Sequence, residues 1–191
     1  MATKRIVLFA SGSGSNVENI VHYFKDDERV VVAAVLTNKK DALVLDRCDR
    51  LNVPAFYFNK TAFSSGTAVL SLLRGLAPDL IVLAGFLWKI PEALVLAFPK
   101  KIINIHPALL PHYGGKGMYG MRVHQAVKEN NERETGITIH YVNARYDEGA
   151  IIHQVKTHIT KEDSAATIAE KVHALEYAHF PKVIAQLLSD T

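Results

Sequence analysis

Short apolar runs at 6–10, 30–36, 55–58, 80–84 and 102–105, broken only by Asn104 in the last, constrain this chain more than any other feature. Runs without polar alternation are the mark of strands buried on both faces. The segments between them, at 16–24, 42–51 and 67–77, place apolar residues at helical spacing, as with Val69, Leu72, Leu73 and Leu76. Strand and helix therefore alternate, which predicts an α/β fold: a Rossmann-like, mostly parallel sheet flanked by helices. The pattern changes near the C-terminal third, where Ile137, Ile139 and Tyr141 alternate with Thr138 and His140. A turn at 143–149 then leads into 150–157, so an added antiparallel ribbon is expected there. A last helical stretch at 164–188 contains Pro181, which should kink it or start a new helix.

With 191 residues, 49% of them hydrophobic, and no repeat or long linker, the chain is read as a single domain over 1–191. Its 22 basic and 19 acidic residues leave a net charge of +3, scattered along the sequence. That is too mild for a nucleic-acid groove or a membrane patch and suits a small anionic ligand. The first apolar run is too short for a signal-peptide core or a membrane span, so no export is expected. Cys48 is the one cysteine, which removes disulfides and cysteine-based zinc sites and points to a reducing, cytoplasmic compartment. Nine histidines invite a metal reading, yet none forms a tight ligand pair such as H-E-x-x-H, and no metal is expected. His22, His158 and His173 read as solvated or half-solvated, whereas His112, His124 and His140 read as lining or bracing a site.

The first strand runs into Ser11-Gly12-Ser13-Gly14-Ser15-Asn16 and then a helix. A glycine-rich turn at a helix N-terminus offers free backbone N–H groups and a positive dipole end, suited to a phosphate. A dinucleotide is disfavoured, because Val17 occupies the third glycine position and Leu36-Thr37-Asn38-Lys39 lacks the acid that would hold a ribose. The competing, purely structural reading makes Ser15 and Glu18 a capping box. Further on, Asn104-Ile105-His106-Pro107 closes the fifth run at the sheet edge where α/β proteins bind ligands. Strand alternation puts Asn104 and His106 on one side, where an amide and an imidazole can address one oxygen on which negative charge develops. Loop anchoring is the structural alternative. Asp147, in the turn Tyr146-Asp147-Glu148-Gly149, could pair with His106, raise its pKa and relay a proton. At the same edge Leu87, Trp88, Lys89 and Ile90 could wall a flat aromatic ligand.

Taken together, Ser11 to Asn16, Leu83-Ala-Gly-Phe86, Asn104-Ile-His-Pro-Ala-Leu-Leu-Pro111, His124, Gly136-Ile-Thr-Ile-His140, Asp147-Glu-Gly149 and Glu176 resemble the folate-dependent formyltransferase family. The resemblance covers nearly the whole chain and lies in the branch that serves purine biosynthesis. It implies formyl transfer from 10-formyltetrahydrofolate, as co-substrate, to the primary amine of glycinamide ribonucleotide. By family position, Asn104, protonated His106 and Asp147 would be catalytic. Gly12, Gly14, Ser15, Asn16, Val17, Glu18 and Glu176 would hold the ribonucleotide. Lys60, Leu87, Trp88, Lys89, Ile90 and Asn104 would face the folate, with His124 and His140 in support. Trp88 stands where many relatives carry Arg, and Lys60 is the nearest match to an Arg after the third strand, keeping its charge without its bidentate geometry.

The nearest rival is a formyltransferase acting on methionyl-tRNA or a nucleotide sugar. The tRNA reading is disfavoured by the weak charge and by the expectation that no second, RNA-gripping domain follows. A non-catalytic nucleotide-binding regulator on the same scaffold would leave Asn104, His106 and Asp147 unexplained. Small-molecule substrates are the expected partners, with neither nucleic acid nor membrane.

Overall fold

The computed structural model describes residues 3–64 and 68–190. In chain order the elements are β1 (Lys4–Ala10), α1 (Ser15–Phe24), β2 (Val30–Thr37), α2 (Leu43–Arg50), β3 (Ala55–Tyr57), α3 (Lys60–Ser64), α4 (Ala68–Leu76), β4 (Leu80–Leu83), α5 (Glu92–Ala97), β5 (Ile102–His106), α6 (Met121–Glu129), β6 (Glu134–Tyr141), β7 (Ile151–His158) and α7 (Ala165–Ser189). The expected helix at 67–77 appears as α4, and its first residue, Thr67, lies outside the described residues.

One sheet of seven strands, in the order β3-β2-β1-β4-β5-β6-β7, runs through the molecule. Strands β1 to β5 are parallel, and β6 and β7 add the antiparallel ribbon. In β1, β4, β5 and the second half of β2 the apolar runs are explained by burial on both faces, whereas β3, at the sheet edge, leaves Phe56 and Tyr57 exposed. Ile6 and Leu8 enter the core on the side of α1 and α7, while Val7 and Phe9 enter the opposite core with Leu73 of α4 and Leu94 of α5. Neighbours in sequence thus feed different cores, and a polar residue at either parity would be buried.

Strand order reverses between β1 and β4, and such a switch point opens a crevice beyond the carboxyl ends of the strands. The β1 and β4 ends are tied there by Ser11. Its Oγ donates to Asn38 Oδ1 at 2.7 Å and accepts the Leu87 N–H at 3.0 Å. On the far side Thr138 of β6 fixes the loop after β5, donating to the Ala108 carbonyl at 2.7 Å and accepting the Leu110 N–H at 3.0 Å. The β6–β7 register shifts between Ile139 and His140, so a bulge sits beside the imidazole that faces Asn104.

Two local expectations are corrected. Helix α7 continues unbroken through Pro181. Proline removes the N–H that would bond the Tyr177 carbonyl, and Asn19 of α1 supplies the substitute, its Nδ2 donating to that carbonyl at 3.1 Å. The capping box does not form either. Gly14, at φ 76°, is the N-cap of α1, no side chain caps the helix, and Glu18 pairs with Arg47 instead. A Cβ at position 14 would run into Val44, so this left-handed turn is reserved for glycine.

Candidate active site

A cavity of about 590 Å³ lies at the switch point, lined by the turn after β1, the ends of β4 and β5, the glycine-rich loop before α6, and α7. At one end the N-terminus of α1 presents the N–H groups that open every helix unpaired, with their positive dipole. Arg47 of α2 braces this turn from behind. Its Nε donates to the Ser13 carbonyl at 2.6 Å and its guanidinium pairs with Glu18. Gly12, Gly14, Ser15 and Asn16 line the cavity. The side chains of Val17 and Glu18 do not reach it, since Val17 is in the core and Glu18 faces Arg47.

Asn16 is 8% exposed and its Nδ2 donates to Glu176 Oε2 at 2.9 Å, which leaves its Oδ1 buried without a partner. Glu176, 5% exposed on α7, also accepts from His173 Nδ1 at 2.9 Å. The sequence reading of His173 as solvated or half-solvated agrees with its exposure. The side chain is half-exposed but lines the cavity, and its carboxylate partner raises its pKa above the ordinary 6.5. The His173–Glu176 spacing of one helical turn was the signal available for it. His124 of α6, 3% exposed, also lines the cavity, with Nδ1 unpartnered.

Strand β5 carries Asn104 and His106 to the middle of the crevice. Asn104 Nδ2 lies 3.1 Å from His140 Nε2, while His140 Nδ1 donates to the Tyr141 carbonyl at 2.9 Å. His106 is 3% exposed. Its Nε2 donates to the Tyr113 carbonyl at 2.8 Å, and its Nδ1 lies 3.6 Å from Asp147 Oδ2. The Asp147 turn therefore folds over the sheet edge. Oδ1 of the same carboxylate is 3.6 Å from His140 Nε2, and Oδ2 accepts the Gly115 N–H at 2.9 Å.

The charge balance differs from the sequence expectation at His106. Burial pushes its pKa below 6.5, and Asp147, which pulls it upward, does not overcome that. The free imidazole is therefore neutral at pH 7. For Asp147, burial opposes ionisation, but His140 and the Gly115 N–H outweigh it and hold the carboxyl below its usual range.

A second, smaller cavity of about 60 Å³ adjoins the first, lined among others by Trp88, Lys89, Ile90 and His140. Leu87 faces the larger cavity instead. The two cavities share Phe86, Asn104, Tyr146 and Asp147, so the amide and the carboxylate stand where two ligands would meet. Lys89 lies over the Tyr146 ring, 5.9 Å from its centroid. Lys60 is exposed on α3 and lines neither cavity. It lies one turn before Phe63, whose ring packs 5.8 Å from Trp88. Two contributions had no sequence signal, the Tyr113 carbonyl and the Gly115 N–H, because both are backbone groups of an irregular loop. Among the described residues, no three His, Cys, Asp or Glu side chains converge as metal ligands, and no helix is long and apolar enough to cross a membrane.

Residues 4–184 match the family described as formyl transferase. The chain is 39% identical over 192 residues to phosphoribosylglycinamide formyltransferase of Bacillus subtilis, covering 97% of this chain and 95% of that protein. It is 38% identical to the chloroplastic phosphoribosylglycinamide formyltransferase of Arabidopsis thaliana, across 98% of this chain and 66% of the plant protein's length. Glycinamide ribonucleotide transformylase 1 from Geobacillus kaustophilus superposes with a TM-score of 0.88 at 34% identity, covering 97% of this chain and 99% of that one.

Proposed function

Because the chain belongs to the formyl transferase family, we propose that it transfers a formyl group from 10-formyltetrahydrofolate to the primary amine of glycinamide ribonucleotide, in de novo purine biosynthesis. One observation carries this reading: two cavities meet at Asn104 and Asp147, as a reaction between two bound ligands requires. The ribonucleotide occupies the larger cavity, its phosphate on the N-terminus of α1 and its glycinamide end toward Asn16 and Glu176. The pterin lies along Trp88, Lys89 and Ile90 in the smaller one, and the folate's anionic tail leads past Trp88 toward Lys60.

The neutral amine attacks the formyl carbon, forming the new C–N bond and placing negative charge on the formyl oxygen. Asn104 donates to that oxygen, a contribution of about 3 kcal/mol for a well-placed donor. The attacking nitrogen now carries a surplus proton, which passes by way of Asp147 and water to Nδ1 of His106. His106 starts neutral, so it can accept this proton, and the imidazolium it becomes is stabilised by Asp147. It then protonates the folate nitrogen as the old C–N bond breaks, releasing tetrahydrofolate. Asp147 and His140 hold the pair in register. No step needs a side-chain nucleophile or a metal.

The family match over residues 4–184 and the single continuous sheet support one formyltransferase domain over 1–191. The buried, unpaired Cys48, its thiol pushed up to about 11 by burial, suits a reducing cytoplasmic compartment. The test is tetrahydrofolate release from 10-formyltetrahydrofolate with a panel of amine acceptors. Turnover with glycinamide ribonucleotide is expected, and turnover with another amine alone would reassign the substrate.

A further inference from the structure

The segment 113–115 touches both members of the central pair at once. The Tyr113 carbonyl accepts from His106 Nε2 at 2.8 Å, and the Gly115 N–H donates to Asp147 Oδ2 at 2.9 Å. Between them, Gly114 lies so close to Asp147 that a Cβ there would stand 3.3 Å from the Asp147 Cβ. Tyr113 makes its contact from a backbone that its side chain disfavours, at φ 57°. Two anchors hold it there: its ring packs against the core on the α1 and α7 side, and its hydroxyl donates to Glu132 Oε1 at 2.7 Å.

We propose that Tyr113 is a positioning residue for formyl transfer: held in the left-handed conformation, its carbonyl locks His106 in the Nε2–H tautomer and leaves Nδ1 as the nitrogen that exchanges the proton. A carbonyl only accepts, so the contact requires hydrogen on Nε2. The lone pair of the neutral ring then lies on Nδ1, toward Asp147. Without the lock, a neutral imidazole beside a carboxylate places its hydrogen on Nδ1, bonded to Asp147, and cannot receive a proton from that side. The remaining charged or titratable groups around the ring are His140 on β6, His124 on α6 and Glu176 on α7. None of them supplies the Nε2 contact. The loop thus sets the starting state of the proton relay, and the proposal rests on the catalytic reading of His106 given above.

The test separates backbone from side chain. Tyr113→Gly tolerates the left-handed conformation, Tyr113→Val resists it, and Tyr113→Phe keeps the ring while losing the Glu132 anchor. The tautomer is read in the intact protein by long-range nitrogen–proton correlation on labelled histidine, alongside kcat, KM and the pH profile. The wild-type protein is expected to show Nε2–H at neutral pH. Tyr113→Val is expected to populate Nδ1–H, to lower kcat roughly tenfold and to leave the ribonucleotide KM within about twofold. Tyr113→Phe, which keeps the ring in the core, should keep the Nε2–H signal and a kcat within about threefold of wild type, with Tyr113→Gly, which tolerates the conformation but loses both anchors, between the two. An unchanged tautomer and pH profile in Tyr113→Val would overturn the proposal, as would a Tyr113→Phe variant as impaired as Tyr113→Val. Full turnover by His106→Ala would instead remove the catalytic reading, and the tautomer signal, read without turnover, tells the two failures apart.

Discussion

His106 Nδ1 faces Asp147 Oδ2 at 3.6 Å, too far for a hydrogen bond and near enough that a proton on the ring would create an ion pair. Burial favours the neutral ring and Asp147 favours the charged one, with burial ahead. The proposed proton relay starts from a neutral His106, so kcat/KM is expected to fall as pH drops, with the acid limb centred below 6.5. Asp147→Asn removes the charge that pulls the pKa upward, so its residual activity should show that limb displaced to still lower pH. A displacement upward in the pH–rate profile would contradict this assignment.

The histidines also make opposite contributions to stability. His106 and His124 are both depressed below the ordinary 6.5, chiefly by burial, so the folded chain binds their protons less readily than the unfolded chain. Their stabilisation is complete above 6.5 and is lost as pH falls through their folded values. His173 is raised by Glu176, so its contribution is complete below 6.5 and is lost as pH rises through its folded value. Urea midpoints measured from pH 8 to pH 5 should decline less steeply in His124→Gln and more steeply in His173→Gln. Parallel slopes in all three proteins would show these groups uncoupled from folding.

Arg47 lines neither cavity, yet it holds the Ser13 carbonyl and Glu18 behind the turn proposed to receive the phosphate. Arg47→Ala is expected to raise the ribonucleotide KM roughly fivefold with kcat within about twofold, because the turn loosens while the reacting groups stay in place. Arg47→Lys keeps the charge but not the fork, and should fall between. Steady-state kinetics at saturating folate distinguishes this from a kcat effect.

Asn19 and Pro181 should be coupled. Asn19→Ala leaves the Tyr177 carbonyl without its donor and is expected to destabilise by about 0.5–1 kcal/mol. In a Pro181→Ala background the restored N–H can bond that carbonyl, so the same change should have less effect. A double-mutant cycle of urea midpoints measures the difference.

The sheet was legible because its signal is local: strands β1 to β5 fall where the apolar runs lie, although in β3 and the start of β2 that run is not buried on both faces. The break expected at Pro181 was not, because the group that repairs it comes from α1, far away in sequence. The capping box failed for a similar reason, since Arg47 lies on another helix and claims Glu18. At the site, strand parity placed Asn104 and His106 together, but only the folded turn sets Asp147 beside them. The sign of the His106 shift needed the depth of its burial, which no sequence pattern reports. Tyr113 and Gly115 act through backbone atoms, and a side-chain alphabet carries no mark of them.

The central claim is that His106 and Asp147 move the proton while other residues bind the ribonucleotide. The direct measurement compares single-turnover formyl transfer with ribonucleotide affinity by calorimetry in His106→Ala and Asp147→Asn. Transfer is expected to fall by a factor on the order of 10² to 10⁴ in each, with the ribonucleotide Kd within about threefold of wild type. Transfer at the wild-type rate by both variants would contradict the account.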